Sequence, residues 1–231
     1  NLFNKKDFFL LYKKFLEKTL KKRIAHQTTW FGEPILQLPQ DLLILQEIIY
    51  KTKPDFFIEV GVAWSGSLLF YSSIFNNIGG KKIIGIDTYI PKEIYKNISK
   101  FKKLRNKIKL IKGASTNLKV FNKVKSTIGK SKKIIVHLDS DHSQENVLNE
   151  LNLYSKLIKK GSYLICGDTH VEFFKKNPHG YNKNYSHLLH IHVLFLFNLT
   201  FLKFKSNKFN IKIYPFKFVP MLNIFFNISF A

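Results

Sequence analysis

Disulfide chemistry is the first thing this chain lacks: its 231 residues hold one cysteine, Cys166. A single thiol excludes an internal disulfide framework and suits a reducing compartment, so a cytoplasmic, soluble protein is expected. Nothing reads as a secretory signal peptide. The longest apolar run, Leu188 to Leu202, is interrupted by His190, His192 and Asn198. It falls short of the roughly 20 residues that span a bilayer. The chain opens on Asn1 rather than Met, as a trimmed or partial sequence would. Arginine is nearly missing, found only at Arg23 and Arg105. Acid disappears after Glu172: the last 59 residues contain none, yet they hold eight lysines and 12 of the 23 phenylalanines.

What is abundant is lysine, and the formal net charge is +23. A nucleic-acid binder concentrates its basic residues on one face, often among stacking aromatics. Here the lysines run the length of the chain beside Ile, Asn and Phe, the set that AT-rich codons produce. No specific nucleic-acid partner is expected. Peripheral contact with anionic lipid or polysaccharide remains compatible with the charge.

Hydrophobic periodicity divides the chain. Asp7 to Lys22 repeats Phe8, Tyr12, Phe15 and Leu16 at helical spacing. A loop over Trp30 to Pro34 and Leu38-Pro39 follows, then a helix from an N-cap at Asp41 to about Lys51. Beyond Pro54 short apolar runs alternate with helical patterns. Strands are expected at Phe56–Val60, Lys82–Ile86, Ile108–Ile111, Ile134–Leu138 and Tyr163–Cys166. Helices are expected at Leu68–Phe75, Pro91–Lys103, Thr116–Lys125 and Ser143–Ile158. This order predicts an α/β Rossmann-like domain with a mostly parallel central sheet and helices on both faces. Residues 1–52 form a helical cap region, 53–172 the core, and 173–231 an acid-free tail. That tail is either a diverged antiparallel hairpin, as the alternation at Asn210-Ile-Lys-Ile213 suggests, or the product of a shifted reading frame, which the composition favours slightly.

Ligands of open α/β sheets bind beyond the carboxyl ends of the strands. Those positions hold Glu59, Asp87, Asp139, Asp141 and Asp168, five of only 15 acids. The first loop, Glu59-Val-Gly-Val-Ala-Trp-Ser-Gly-Ser67, resembles a dinucleotide fingerprint. Ala63, however, stands where close approach to a pyrophosphate needs glycine. Glu59 also suits a cation better than a phosphate. S-adenosylmethionine carries an ammonium and a sulfonium and no phosphate. Gly61 and Gly66 would let backbone approach it, and Asp87 would take two ribose hydroxyls. The bland reading is an ordinary strand-to-helix turn with a stray carboxylate.

Asp139-Ser-Asp141-His142 is the sharper signal. Two carboxylates, joined by Asp168 from the neighbouring strand, can bind a divalent cation, and His142 can act as a general base. Alternatively Asp139 caps a turn and Asp141 the following helix. His137, mid-strand, reads as structural, and His170 is undecided. Trp30 and Tyr89 either line a substrate pocket or pack. Glu145 and Glu150 are expected to be solvated or paired with lysines, over a core stripe of Val147, Leu148, Leu151, Tyr154 and Leu157.

These segments together resemble the cephalosporin hydroxylase and rhamnosyl O-methyltransferase family. The match runs through Trp30-Phe-Gly32, Gln37-Leu-Pro39, Asp41, Lys53-Pro-Asp55, Glu59-Val-Gly61, Gly66-Ser67, Ile84-Gly-Ile-Asp87 and Gly113-Ala-Ser115. It continues through Leu138-Asp-Ser-Asp-His-Ser143, Val147-Leu-Asn-Glu-Leu151, Gly161-Ser-Tyr-Leu-Ile165 and Asp168-Thr169. The resemblance covers about residues 28 to 172 and implies a class I S-adenosylmethionine-dependent methyltransferase fold acting on hydroxyls of sugars, glycolipids or natural products. The resemblance places the cofactor at Glu59, Gly61, Ser67 and Asp87; Gly66, Ser115 and Asp139 complete the expected cofactor set, and Asp139 and His142 are the expected catalytic residues. It also implies a divalent metal, usually magnesium, at Asp139 and Asp168. Two departures stand out: Ser65 replaces a common glycine, and Gly167 replaces a glutamate that would be a metal ligand. A Gly167→Glu substitution is therefore expected to strengthen metal binding. A nicotinamide-dependent oxidoreductase, or a relative that binds without turnover, are the competing readings.

Overall fold

The computed structural model describes residues 5–159, 161–168, 211–213 and 224–228. The first helix, α1 (Lys5–Lys21), buries Tyr12, Leu16 and Leu20 at four-residue spacing. Phe15 falls on the opposite side and is exposed. Where a loop is expected, Thr29–Trp30 (β1) and Glu33–Pro34 (β2) pair antiparallel. Phe31 and Gly32 both take positive φ at the turn, 52° and 80°, the geometry of a two-residue hairpin with the right twist.

Helix α2 (Pro39–Thr52) begins earlier than expected, with Leu38 rather than Asp41 as its N-cap. The fixed φ of Pro39 suits the first helical position and sets the start there. Asp41 thus lies inside the first turn, on the face that carries buried Leu38, Leu42 and Leu45.

The core alternates as the periodicity predicts. β3 (Phe56–Val60), α3 (Ser65–Ile78), β4 (Lys82–Asp87), α4 (Lys92–Ser99), α5 (Lys102–Arg105) and β5 (Ile108–Lys112) come first. α6 (Leu118–Ile128), β6 (Ile134–Leu138), α7 (Gln144–Tyr154) and β7 (Tyr163–Cys166) complete it. The single helix expected over Pro91–Lys103 is broken at Phe101, whose φ and ψ of −102° and 76° are not helical. The helix expected from Ser143 to Ile158 tightens to a 3₁₀ turn at Ser155–Leu157.

β3 to β7 are all parallel, and β8 (Ile211–Ile213) and β9 (Ile224–Ile228) add antiparallel at one edge. The order is β5-β4-β3-β6-β7-β9-β8. From β3 the chain steps to β4 and β5 on one side, then crosses back through α6 to β6 on the other, so the order reverses between β3 and β6, where open sheets bind ligands. Alternate residues of β3 face opposite layers. Phe56, Ile58 and Val60 join Val124, Tyr154 and Leu157 in one core, while Phe57 joins Leu45, Leu68 and Tyr71 in the other. The expected sheet with helices on both faces is what the chain forms. Among the described residues no helix is long and apolar enough to cross a membrane.

Candidate active site

Four strand ends meet at the switch point. Glu59, one residue before the end of β3, faces the α3 layer and is 1% exposed. Its Oε2 accepts a hydrogen bond from Ser67 Oγ at 2.9 Å, and the Tyr71 hydroxyl lies beside the carboxyl. Burial pushes its carboxyl well above the usual range; the two hydroxyls oppose that, and the charges of Asp139 and Asp87 add to it. Among the described residues no cationic side chain pairs with Glu59.

Gly61 has φ +94°, and a Cβ there would stand 2.2 Å from the backbone oxygen of Asp139. Glycine is required because the ends of β3 and β6 run together. Gly66 has a different reason: a Cβ would meet the backbone oxygens of Pro34 and Glu33 at 2.3 and 2.6 Å. The hairpin therefore sits directly on the first turn of α3. Glu33 ties it there, accepting from Ser65 Oγ at 3.0 Å and from Lys100 Nζ at 3.0 Å. Asp87, ending β4, accepts from the backbone nitrogens of Val62 at 2.7 Å and Tyr89 at 2.9 Å. That fixes the carboxylate between the two loops.

Ser115 is buried and donates to Glu150, which also accepts from Ser140 Oγ at 2.7 Å. Glu150 is 1% exposed, so the expectation that it is solvated or lysine-paired is wrong. It lies on the stripe with Val147, Leu151 and Tyr154, the buried side of α7, and joins the loops after β5 and β6. Burial raises its pKa.

Asp139, His142 and Asp168 form the centre, with one ligand atom from each lying within 4.8 Å of the others. His142 Nε2 is 3.5 Å from Asp168 Oδ2 and 4.0 Å from Asp139 Oδ1. The other oxygen of Asp139 accepts from Gln37 Nε2 at 3.3 Å. Burial raises the Asp139 pKa, an effect that His137 opposes and the Asp168 charge reinforces. Asp141 is exposed and turned away, accepting from Ser143 N at 2.9 Å and Ser143 Oγ at 3.1 Å. It caps the turn into α7, the bland alternative for that residue. Two carboxylates and an imidazole are a donor set that fits a divalent cation.

Gly167 contributes no carboxylate, and a Cβ there would stand 2.0 Å from Asp139 Oδ1 and 3.3 Å from His137 Nε2. The expectation that Gly167→Glu strengthens metal binding therefore changes, because the space is already taken.

Asp41 and His137 have places in the site that their sequence positions did not show. Asp41 reaches the cluster from α2; burial, then the charges of Asp168 and Asp139, push its carboxyl up to about 7. His137 is 1% exposed, and its two ring nitrogens have no partner among the described residues. Trp30 packs edge-on to Phe70 with ring centroids 5.1 Å apart. Tyr89 is 68% exposed beside the Lys112 ammonium. His170 and Thr169 lie outside the described residues.

The model of the family described as Rhamnosyl O-methyltransferase/CmcI matches residues 22–187 of this sequence. The chain belongs to that family. A rhamnosyl O-methyltransferase of Mycobacterium leprae is 30% identical over 150 residues, covering 64% of this chain and 63% of that protein. One of Mycobacterium tuberculosis is 26% identical over 147 residues, covering 63% and 58%. This family member therefore spans less than two thirds of the curated relatives it matches. Among solved structures, CalS11, a TDP-rhamnose 3′-O-methyltransferase of calicheamicin biosynthesis, superposes with a TM-score of 0.52 at 14% identity, over 81% of this chain and 79% of that one. The mycinamycin-pathway methyltransferase MycE, in complex with Mg and S-adenosylhomocysteine, gives 0.53 at 15% identity, over 92% and 53%. Those likenesses establish the class I methyltransferase fold.

Proposed function

We propose that this protein is an S-adenosylmethionine-dependent O-methyltransferase whose acceptor is a hydroxyl of a sugar, glycolipid or natural product. The observation that carries the reading is the meeting of Asp139, His142 and Asp168 beside the strand-end carboxylates Glu59 and Asp87. Glu59 suits a cationic ligand because it is buried, accepts from the Ser67 hydroxyl and has no cationic partner among the described residues. Asp87, held by two backbone donors, keeps lone pairs for ribose hydroxyls. When bound, S-adenosylmethionine supplies an electrophilic methyl group on sulfur.

His142 Nε2 takes the proton of the acceptor hydroxyl, and the carboxylates of Asp139 and Asp168 stabilise the imidazolium that results. A divalent cation would be held by Asp139 and Asp168 and would acidify a hydroxyl bound to it. A nicotinamide-dependent reaction fits less well, since Glu59 and Ala63 stand where a pyrophosphate needs neutral, open backbone. Incubation with methyl-labelled S-adenosylmethionine and a panel of rhamnosides, glycolipids and nucleotide sugars tests the reading. Label in a sugar ether supports it; cofactor binding without transfer to any acceptor favours the non-catalytic alternative.

We also propose peripheral contact with an anionic membrane. Helix α1 exposes Leu11 and Phe15 one turn apart at 61% and 52%, beside exposed Lys14 and Lys18. Apolar side chains flanked by lysines suit a lipid headgroup surface.

A further inference from the structure

A buried polar chain runs from the cofactor strand to the base cluster, and one residue closes it. Tyr71, fully buried and stacked on Phe57 at 4.0 Å, places its hydroxyl beside the Glu59 carboxyl. Gln37 Nε2 donates to that hydroxyl at 3.4 Å and to Asp139 Oδ2 at 3.3 Å. Both amide hydrogens are thereby used, one on each side of the switch point. The orientation of the amide follows, since an ionised Asp139 accepts and does not donate. Gln37 Oε1 is left buried without a partner among the described residues. An unsatisfied buried acceptor is destabilising. The site tolerates it for the two donors the same amide provides. Gln37 comes from the segment before α2, outside the sheet, yet it bridges residues 34 positions and 102 positions away.

We propose that Gln37 is a positioning residue that holds the Asp139 carboxylate and, through Tyr71, links its placement to that of Glu59. The cofactor-side and base-side carboxylates then behave as one hydrogen-bonded unit. This rests on the methyltransferase reading only in naming the ligand used as a probe.

Calorimetric titration of S-adenosylhomocysteine into the parent, Gln37→Leu, Tyr71→Phe and the double variant tests the link. Either single substitution is expected to weaken binding about 10-fold, the lower end for a hydrogen bond to a charged group, and the double to lose no more than the worse single. A double loss equal to the product of the singles, about 100-fold, means the two residues act separately and overturns the proposal. Unchanged affinity in Gln37→Leu overturns it too. Gln37→Met keeps length and volume without a donor, so it must behave like Gln37→Leu. If methionine restores parental affinity, the residue only fills space and the proposal falls. Urea unfolding of the same four proteins reads the coupling without ligand. A parent that binds no S-adenosylhomocysteine sinks the function reading; coupled stability losses would still uphold the chain, and additive ones would overturn it.

Discussion

Gly167 lies against Asp139 so closely that a Cβ on it would be 2.0 Å from the carboxylate oxygen Oδ1. The strand-end carboxylate and the glycine after β7 therefore share one small space. Gly167→Ala should displace the Asp139 side chain and cost about 1–3 kcal/mol of stability, as overpacking does. Gly167→Glu should bind manganese or magnesium no better than Gly167→Ala. Urea unfolding and cation titration of the three proteins check both points. A tighter site in Gly167→Glu would show that the loop yields and that the close approach is unimportant.

His142 sits between two carboxylates, with its Nε2 facing both. His142→Ala should lower methyl transfer by roughly 10²–10⁴-fold, the range for a positioned base, while S-adenosylhomocysteine affinity stays within about 3-fold. His142→Asn would preserve turnover if the ring merely ended the turn before α7. Steady-state rates for both variants separate the two roles.

Asp41 offers a test by pH. Its carboxyl is raised to about 7 by burial and by Asp168 and Asp139, while Tyr12 faces it from α1. The folded state then holds a proton that the unfolded chain has released. Its contribution to stability is present below the unfolded value, near 4, and is lost as pH rises toward 7, at up to about 1.4 kcal/mol per unit. Asp41→Asn should flatten the stability profile across that window and make the protein more stable than the parent at pH 8. A parental slope in the variant would assign the pH dependence to other groups.

The sheet was legible because each buried strand is a short apolar run, and Glu59, Asp87 and Asp139 mark three of its ends. The surrounding polar groups were less so. Asp41 looks like an N-cap by residue type, and only the preference of Pro39 for the first helical position moves it inward. Its spacing to Leu38 and Leu45 was the available signal. Glu150 carried the same kind of signal, three residues after Val147 and four before Tyr154. Gln37, Tyr71 and Glu33 could not be found this way, because their partners lie far off in sequence and adopt no local period.

The exposed Leu11 and Phe15 of α1 predict that the protein sediments with vesicles containing phosphatidylserine and not with phosphatidylcholine alone. Replacing both by glutamate should reduce vesicle binding by about 10-fold or more, since each buried apolar side chain is worth on the order of 1.5–3 kcal/mol. Equal binding by the variant would leave only diffuse attraction to a chain of net charge +23.

The central claim is that the acidic mouth of the sheet receives a cationic adenosyl ligand and not a dinucleotide. Calorimetry on one purified sample, with S-adenosylmethionine, S-adenosylhomocysteine and NAD in turn, tests it most directly. The two sulfur compounds should bind and NAD should not. Asp87→Ala should weaken S-adenosylhomocysteine by about 10-fold or more, through loss of charge-assisted bonds to ribose. Binding of NAD, together with an Asp87→Ala variant that holds S-adenosylhomocysteine as tightly as the parent, would contradict the account.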